Sequence, residues 1–450
     1  MKEAPRSRWR WSSRSLLRRR VPTVVAASAL LFGGLMAGGV ADSAAASPSR
    51  SGHSLPEYCR QLDPSLTWQP GVREFLQSAI DKNSTCRGAV RHGKNKVAIF
   101  DWDDTIVKNG IGYVTNYYTL QHDLVLQPKN RDWRTLNRYL TDDAAHALTK
   151  ACGTKVRPGK RLPTSTNEAC TAEIVALLDG KTVDGKVGFT GYNARWIEPS
   201  YLWSAALLSG YTERQIAGFA AQVRQQMLTA PIGTTQHIGG KNVTGYIRYY
   251  EQMRDLVGTL TANGITPWVV SASPEPLVKV WAPGAGFDVR HVVGIRSVYD
   301  RHGRQTPHLK GCGGTADGDD AVLPYIDGKR CWANQAIFGV RGAKAFDQLS
   351  AKRRQVLAGG DSVTDVTFVG DATSASLAIN RNKPELMCRA YDGLFTKGGK
   401  WAVNPMFINP LPQHAPYQCS QAYANPDGSF GPVLRADGSV IEDQIDSVHG

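Results

Sequence analysis

The sequence predicts an α/β protein in which helices flank a parallel sheet and a mostly helical cap is inserted after the first strand. Short apolar runs that end abruptly in polar residues are the first observation, because strands buried on both faces have this pattern. Apolar residues at helical spacing between Tyr246 and Leu260 lead into one such run and are the second. The third is an aromatic-rich segment at 108–240, which is too long for an ordinary crossover and predicts the cap.

Four apolar runs are expected to form strands of this sheet. They are 97–100, 267–270, 356–360 and 375–379, and the first three end at Asp101, Ser271 and Asp361. Strands that alternate with helices form parallel sheets, and ligands bind at the carboxyl ends of those strands. We therefore expect these three polar side chains at one edge of the sheet.

Composition fits a folded chain with a large core. The 450 residues are 42% hydrophobic and 20% charged, which excludes a wholly disordered, collagen-like or polytopic membrane protein. The expected organisation is a signal peptide at 1–46, a linker and helical lead-in at 47–96, a core at 97–107 and 241–388, the cap at 108–240 and an irregular, disulfide-stapled tail at 389–450.

The N-terminus has the pattern of an export signal. Residues 1–20 carry eight Lys/Arg, residues 21–41 are uncharged, and small residues at 43–47 suit a signal peptidase. An uncleaved anchor helix is the alternative, and the export route stays open. Residues 1–46 hold eight basic and two acidic residues, so cleavage leaves a net charge of +8. We expect a secreted protein with no nucleic-acid partner, no stable membrane association and no obligate protein partner.

The cysteines agree with export. All eight follow the signal, and none forms a C-x-x-C pair or zinc-finger spacing. In an oxidising compartment they indicate disulfides, although free buried thiols are the alternative and eight cysteines allow about 105 pairings. Because nearest neighbours close short loops, we predict the pairs Cys59–Cys86, Cys152–Cys170, Cys312–Cys331 and Cys388–Cys419.

The motif Asp101-Trp102-Asp103-Asp104-Thr105 carries the main chemical signal. A carboxylate at a strand end can attack phosphorus and form an aspartyl-phosphate. A second acid can protonate the leaving oxygen and later deprotonate water. Clustered carboxylates also bind Mg²⁺, which neutralises phosphate charge. Acid-rich strand ends are also common turns, so the motif needs support from the rest of the chain.

That support comes from residues on the other strand ends. Ser271 can donate a hydroxyl to a phosphate oxygen, and Lys329 can neutralise phosphate charge, with Lys344 and Lys352 as alternatives. Asp361 is placed to complete a metal site, and Asp365 to orient its loop or a metal-bound water.

The order D-x-D-x-T, Ser, Lys and GDxxxD over residues 95–385 resembles the haloacid dehalogenase superfamily of phosphohydrolases. The resemblance implies a Rossmann-like sheet and a Mg²⁺-dependent phosphatase. It also implies site roles: Asp101 as nucleophile, Asp103 as acid and base, Thr105, Ser271 and Lys329 as phosphate ligands, and Asp101, Asp103, Asp361 and Asp365 as metal ligands.

More narrowly, the stretches 270–278, 324–329 and 379–383 are similar to secreted phosphorylcholine phosphatases. The resemblance implies a small phosphomonoester substrate, and tyrosines and tryptophans of the cap could hold a quaternary ammonium group. Two alternatives stay open at this stage. One is a catalytically idle superfamily member that serves as a secreted binding protein, and the other is a superfamily enzyme of different specificity or dehalogenase chemistry.

Overall fold

The computed structural model describes residues 59–86 and 96–450, so the expected signal peptide lies outside the described residues. The strands are β1 (Lys96–Phe100), β2 (Val107–Lys108), β3 (Thr235–Ile238), β4 (Lys241–Thr244), β5 (Arg248–Tyr249), β6 (Ile265–Pro274), β7 (Val292–Ile295), β8 (Ser297–Tyr299), β9 (Gln305–Leu309), β10 (Leu357–Gly360), β11 (Ala375–Asn380), β12 (Trp401–Pro405), β13 (Tyr423–Ala424) and β14 (Phe430–Gly431). The helices are α1 (Val72–Asn83), α2 (Ile111–Gln121), α3 (Asp142–Cys152), α4 (Glu168–Ala176), α5 (Pro199–Ala206), α6 (Glu213–Thr229), α7 (Glu251–Ala262), α8 (Glu275–Trp281), α9 (Asp327–Ala336), α10 (Val366–Gly370) and α11 (Pro384–Asp392).

A six-stranded parallel sheet in the order β12-β11-β10-β1-β6-β7 forms the centre of the fold. All four predicted runs are strands of this sheet, which confirms the α/β class. β1 lies between β10 and β6, so the carboxyl ends of the three strands that precede the predicted site residues are neighbours. β7 and β12 complete the sheet without having been predicted.

Alternate residues of β1 enter two separate cores, because successive side chains of a strand point to opposite faces. Ala98 and Phe100 pack with α1, α7 and α8 on one face. Ile99 packs with α9, α10 and α11 on the other. Helices therefore cover both faces, as a parallel sheet requires.

A two-residue antiparallel pair, β2 with β5, joins the sheet to a large insertion. Between these strands lie α2 to α6 and the β3–β4 hairpin. Residues of α2 to α5 and of the hairpin form a separate core around Trp133 and Trp203, whereas the buried face of α6 joins the core that α7 and α8 form with the sheet. The helix predicted from the pattern 246–260 begins only at Glu251, because Arg248 and Tyr249 pair with β2 as β5.

Four disulfides join Cys59 to Cys86, Cys152 to Cys170, Cys312 to Cys331 and Cys388 to Cys419, as the sequence predicted. All eight cysteines belong to the described residues, and none of them is free. The region 389–450 was expected to be irregular, but it supplies the edge strand β12. In residues 59–86 and 96–450, no helix has the length and apolarity needed to cross a membrane.

Candidate active site at the carboxyl edge of the sheet

The chain turns sharply where β1 ends. The amide of Asp101 still bonds to Gly359 of β10, and the carbonyl of Trp102 then accepts the amide of Ile106 at 2.8 Å. Asp104 takes a left-handed conformation with φ of 57°. This single turn brings the side chains of both Asp101 and Asp103 to a cavity of about 280 Å³ between the sheet edge and the insertion.

Asp101 lies at the bottom of this cavity in a buried cluster of charges. Its Oδ1 accepts a hydrogen bond from Lys329 Nζ at 2.6 Å. Burial and the nearby Asp365 carboxylate raise the pKa of Asp101, and the Lys329 ammonium opposes this rise. Lys329 is therefore the cation that favours the ionised form of Asp101.

Lys329 is in the first turn of α9, and its side chain is fully buried. Its Nζ also donates to Asp365 Oδ1 at 2.5 Å. Burial lowers the pKa of Lys329, but the two carboxylates more than compensate and hold it above its ordinary value. Gly328 precedes the lysine because a Cβ there would collide with the carbonyl oxygen of Leu323. The loop can thus enter α9 only with glycine at this position.

Asp103 occupies the N-terminal end of α2. Its Oδ1 accepts the amide of Ile111 at 2.7 Å, and its Oδ2 accepts the hydroxyl of Ser273 at 2.6 Å. Burial raises the pKa of Asp103 to about 6, although these hydrogen bonds oppose the rise. A carboxyl group with this pKa can both give and take a proton near neutral pH.

Asp361 follows β10 and is nearly fully buried. Its Oδ1 accepts the hydroxyl of Thr105 at 2.7 Å, and its Oδ2 accepts Arg381 Nη1 at 2.7 Å. Burial raises the pKa of Asp361 to about 6, and Arg381 opposes this effect. The sequence assigned Thr105 to phosphate binding, and the structure places its hydroxyl on the Asp361 carboxylate.

Asp365 organises the loop that carries Asp361. Its Oδ2 accepts the amides of Asp361 and Ser362 at 2.9 and 3.0 Å, and its Oδ1 accepts Thr364 Oγ1 as well as the lysine. Gly360 allows this close approach, since a Cβ there would lie 2.5 Å from Asp365 Cβ. Both carboxylate oxygens of Asp365 therefore already accept hydrogen bonds from the protein.

Ser271 lies within β6, beside β1, and is fully buried. Its hydroxyl oxygen accepts the amide of Ser273 at 3.1 Å. The neighbouring residues Ala272 and Ser273 line the cavity. The seven predicted site residues thus gather at the carboxyl ends of β1, β6 and β10 and the start of α9.

Tyrosines form the wall of the cavity on the side of the insertion. Tyr113, Tyr117 and Tyr201 line it, and the rings of Tyr113 and Tyr201 meet edge to face at 6.3 Å. Glu198 immediately precedes α5, the helix that carries Tyr201. Burial is the main cause of the raised pKa of Tyr113 and Tyr201, and the charge of Glu198 adds to it. Burial raises the pKa of Glu198 as well, and its two hydrogen bonds, from the Ser200 amide and hydroxyl, both reach Oε1.

The donor set suits a hard divalent cation. Carboxylate oxygens of Asp101, Asp361 and Asp365 lie within 4.8 Å of one another, and all three residues are buried. Oxygen ligands of this kind are those that Mg²⁺ prefers. Burial, together with neighbouring carboxylates, raises the pKa values of Asp101 and Asp361, and a bound cation would favour their ionised forms.

Sequence reasoning assigned no role to two side chains at this site, Arg381 and Ser273. Arg381 bonds Asp361 and also lies 3.2 Å from Asp104 Oδ2, and Ser273 bonds Asp103. Arg381 closely follows the predicted strand 375–379. The expectation that polar residues after parallel strands gather at one edge of the sheet could therefore have identified it. Ser273 gave no such signal, because its contact with Asp103 depends on how β6 and the turn after β1 meet.

The sheet order and the succession of Asp101, Ser271, Lys329 and Asp361 along its edge have the arrangement expected from the resemblance to the haloacid dehalogenase superfamily. The predicted resemblance is confirmed at this level. No family-level profile matches the sequence.

Phosphorylcholine phosphatase of Pseudomonas aeruginosa is 26% identical over 176 residues, which are 36% of this chain and 48% of that protein. The chain therefore matches about half the length of this curated relative. A solved protein of unknown function from Anaerococcus prevotii covers 76% of this chain and 93% of its own at 16% identity, with a TM-score of 0.54, and so shares the fold. A substrate-bound phosphoserine phosphatase covers 64% of this chain and 87% of its own at 12% identity, but its TM-score of 0.29 is too low for site comparison.

Proposed function

We propose that the protein is an exported, Mg²⁺-dependent phosphomonoester hydrolase that acts through an aspartyl-phosphate. The observation that carries the proposal is the pair of acids after β1. Asp101 bonds a buried lysine, whereas Asp103, at the same cavity, has a pKa raised to about 6. Two carboxyl groups with different environments suit a nucleophile and an acid–base residue.

In the first step, a carboxylate oxygen of Asp101 attacks phosphorus as the bond to the leaving oxygen breaks. Asp103 gives its proton to that oxygen, and the alcohol leaves. In the second step, Asp103 takes a proton from water, the water oxygen attacks phosphorus, and the bond to Asp101 breaks. Lys329 and Ser271 hold the phosphoryl oxygens, with the lysine providing a full positive charge.

Mg²⁺ would be held by the carboxylates of Asp101 and Asp361 and the backbone carbonyl of Asp103. When bound, the ion neutralises phosphate charge and lets an anionic nucleophile approach. We assign Asp365 to orienting the Asp361 loop and Lys329, because its oxygens already accept five protein donors. Arg381 is the cation that must accommodate the incoming ion, since it bonds Asp361 directly.

A small phosphomonoester of a cationic alcohol, such as phosphorylcholine, is the substrate that the cavity suits best. A quaternary ammonium group binds tyrosine faces and carboxylates, because it has no hydrogen to donate. Tyr113, Tyr117 and Tyr201 supply such faces, and Glu198, directly before the helix that carries Tyr201, supplies negative charge. The similarity to a phosphorylcholine phosphatase supports the same choice.

Export is supported by the N-terminal sequence pattern and by the four disulfides, which persist in oxidising compartments. We propose that the mature protein is secreted and acts on a diffusible substrate.

The test is a panel of phosphorylcholine, phosphoethanolamine, glycerol phosphate and p-nitrophenyl phosphate, with Mg²⁺ or with EDTA. We expect Mg²⁺-dependent phosphate release from all esters and the highest kcat/KM for phosphorylcholine. Glu198→Gln should lower that preference while leaving p-nitrophenyl phosphate hydrolysis nearly unchanged. Equal activity in EDTA would contradict the metal assignment, and no hydrolysis of any ester would contradict the function.

A further inference from the structure

Arg195, a residue of the insertion, has a buried guanidinium that contacts three other parts of the chain. Its side chain is 4% exposed. Nε and Nη2 donate to the two oxygens of Asp327 at 2.9 and 3.1 Å. Nη1 donates to Glu385 at 3.3 Å and to the carbonyl of Ala424 at 3.0 Å, and the guanidinium stacks on the Tyr423 ring at 4.2 Å. One side chain thus joins the insertion, two core helices and the C-terminal tail.

The contact with Asp327 leads to the active site. Asp327 begins α9, and Lys329 follows two residues later in the same turn. The amide of Asp327 also donates to the backbone carbonyl of Arg195 at 3.1 Å. Arg195 therefore holds Asp327 by both its backbone and its side chain, and Asp327 sets where the first turn of α9 starts.

The backbone just before Asp327 is strained, so contacts that fix the neighbouring residues are especially important here. Ile326 has φ of 47°, a left-handed conformation that is costly for a β-branched residue. Its amide bonds to the Thr364 carbonyl at 3.0 Å, and its own carbonyl accepts the Thr367 hydroxyl at 2.6 Å. Such strain persists only where the surroundings fix the conformation, and Arg195 fixes the next residue along.

Charge makes Arg195 hard to replace at this point. Burial raises the pKa of Glu385, and Arg195 is the strongest influence opposing that rise. Removing one member of a buried ion pair leaves the partner charge without compensation. Lysine would keep the charge but cannot reproduce the bidentate bond to Asp327 together with the bond to Ala424.

We propose that Arg195 is a positioning residue that acts on Lys329 through Asp327. The tail residues Tyr423 and Ala424 complete this set of contacts around Arg195, which we call the clamp. The proposal rests on the function proposed above. Lys329 Nζ bonds two carboxylates at 2.6 and 2.5 Å, and a displacement of about 1 Å at such a site can cost about 100-fold in rate. The clamp couples the insertion and the tail to the placement of that one atom.

The experiment compares Arg195→Lys with Arg435→Lys. Arg435 is the matched control, because it also joins the tail to the core, through Asp392 at 2.7 Å, but does not contact α9. We expect Arg195→Lys to lower kcat by about 10-fold to 100-fold with a smaller change in KM. Arg435→Lys should change kcat by less than about 2-fold, even where its Tm falls equally.

A double-mutant cycle separates positioning from general stability. If Arg195 acts through the lysine, Arg195→Lys should have almost no effect on the residual kcat of Lys329→Met. An equal fold-loss in both backgrounds, or unchanged kcat in Arg195→Lys, would overturn the proposal.

Hydrogen exchange of the 324–332 peptide gives a readout that does not depend on activity. We expect faster exchange there in Arg195→Lys but not in Arg435→Lys, whereas unchanged protection would overturn the clamp. If the wild-type protein released no phosphate, the proposed function would fail, and this exchange would still test the clamp.

Discussion

Lys329 Nζ lies 2.6 Å from Asp101 Oδ1, so a fully buried ammonium directly contacts the carboxylate proposed as nucleophile. The two residues are 228 positions apart in the chain and come from α9 and the end of β1. Without the lysine, burial and the neighbouring Asp365 would favour the neutral, unreactive acid. The same ammonium is positioned to hold the phosphoryl group that Asp101 accepts.

Asp101→Asn should abolish turnover and leave the protein folded. An amide cannot form the covalent intermediate. The change removes the ion pair with Lys329, but Lys329 keeps its bond to Asp365 and the repulsion of Asp101 with Asp361 and Asp365 disappears. We therefore expect the free energy of unfolding to change by less than about 2 kcal/mol. Phosphate release and thermal unfolding measure the two effects. Asp317→Asn, in an exposed loop, is the control and should keep full activity.

Asp103 should give the reaction a pH dependence that varies with the leaving group. Its pKa is about 6, so it is protonated below that pH and loses its proton as the pH rises through it. Formation of the intermediate from an alkyl phosphomonoester should therefore slow above about pH 6, because the leaving alkoxide needs the proton. p-Nitrophenolate leaves readily without one, so its release should depend less on pH.

Asp103→Asn should lower kcat for the alkyl ester by about 100-fold or more and remove this pH dependence. Pre-steady-state rates between about pH 5 and 8 provide the measurement. If excess Mg²⁺ restored the variant to full activity, Asp103 would be a metal ligand only and the acid–base role would be wrong.

Lys329→Met should reduce kcat by about 100-fold or more, since a charge that stabilises the transferring phosphoryl group is lost. Lys344→Met and Lys352→Met should stay near wild-type activity. Both side chains are exposed, whereas Lys329 is fully buried between two carboxylates. Steady-state kinetics of the three variants decide the assignment, and a loss confined to Lys344 or Lys352 would reject it.

The Cys312–Cys331 disulfide should matter for activity as well as stability. Cys331 lies two residues after Lys329 in α9, and by loop entropy the bond contributes roughly 3 kcal/mol. The paired change to serine should lower kcat at temperatures where the protein is still folded, because the lysine loses support.

Cys152–Cys170 offers a matched control for that variant. Its loop spans 18 residues against 19, but it lies within the insertion. Both serine pairs should lose similar stability by thermal unfolding, and only the first should lose kcat. Equal losses of kcat would show that Cys312–Cys331 has no special role.

The strand-end chemistry could be predicted because it is local. Asp101, Ser271 and Asp361 each follow an apolar run directly, and parallel strands bring such ends together. The disulfide pairing followed from short loop closure. β7 and β12 were missed, because strands of four or five residues give little pattern by themselves.

Other parts of the site could not be predicted, since they depend on long-range packing. Arg195 meets Asp327 across 132 residues and Ala424 across 229, and no local pattern marks such contacts. The β2–β5 pair that joins the sheet to the insertion was also not predicted. The pattern at 246–260 is helical throughout, but pairing with β2 makes Arg248 and Tyr249 a strand.

Trapping the phosphoenzyme tests the central claim most directly. The protein would be mixed with ³²P-labelled phosphomonoester and Mg²⁺, quenched in acid within one turnover and digested for peptide mapping. The account predicts an acid-stable, hydroxylamine-labile label on the peptide that contains Asp101, and no label in Asp101→Asn. Label on another residue, or full turnover with direct transfer of phosphate to water, would contradict it.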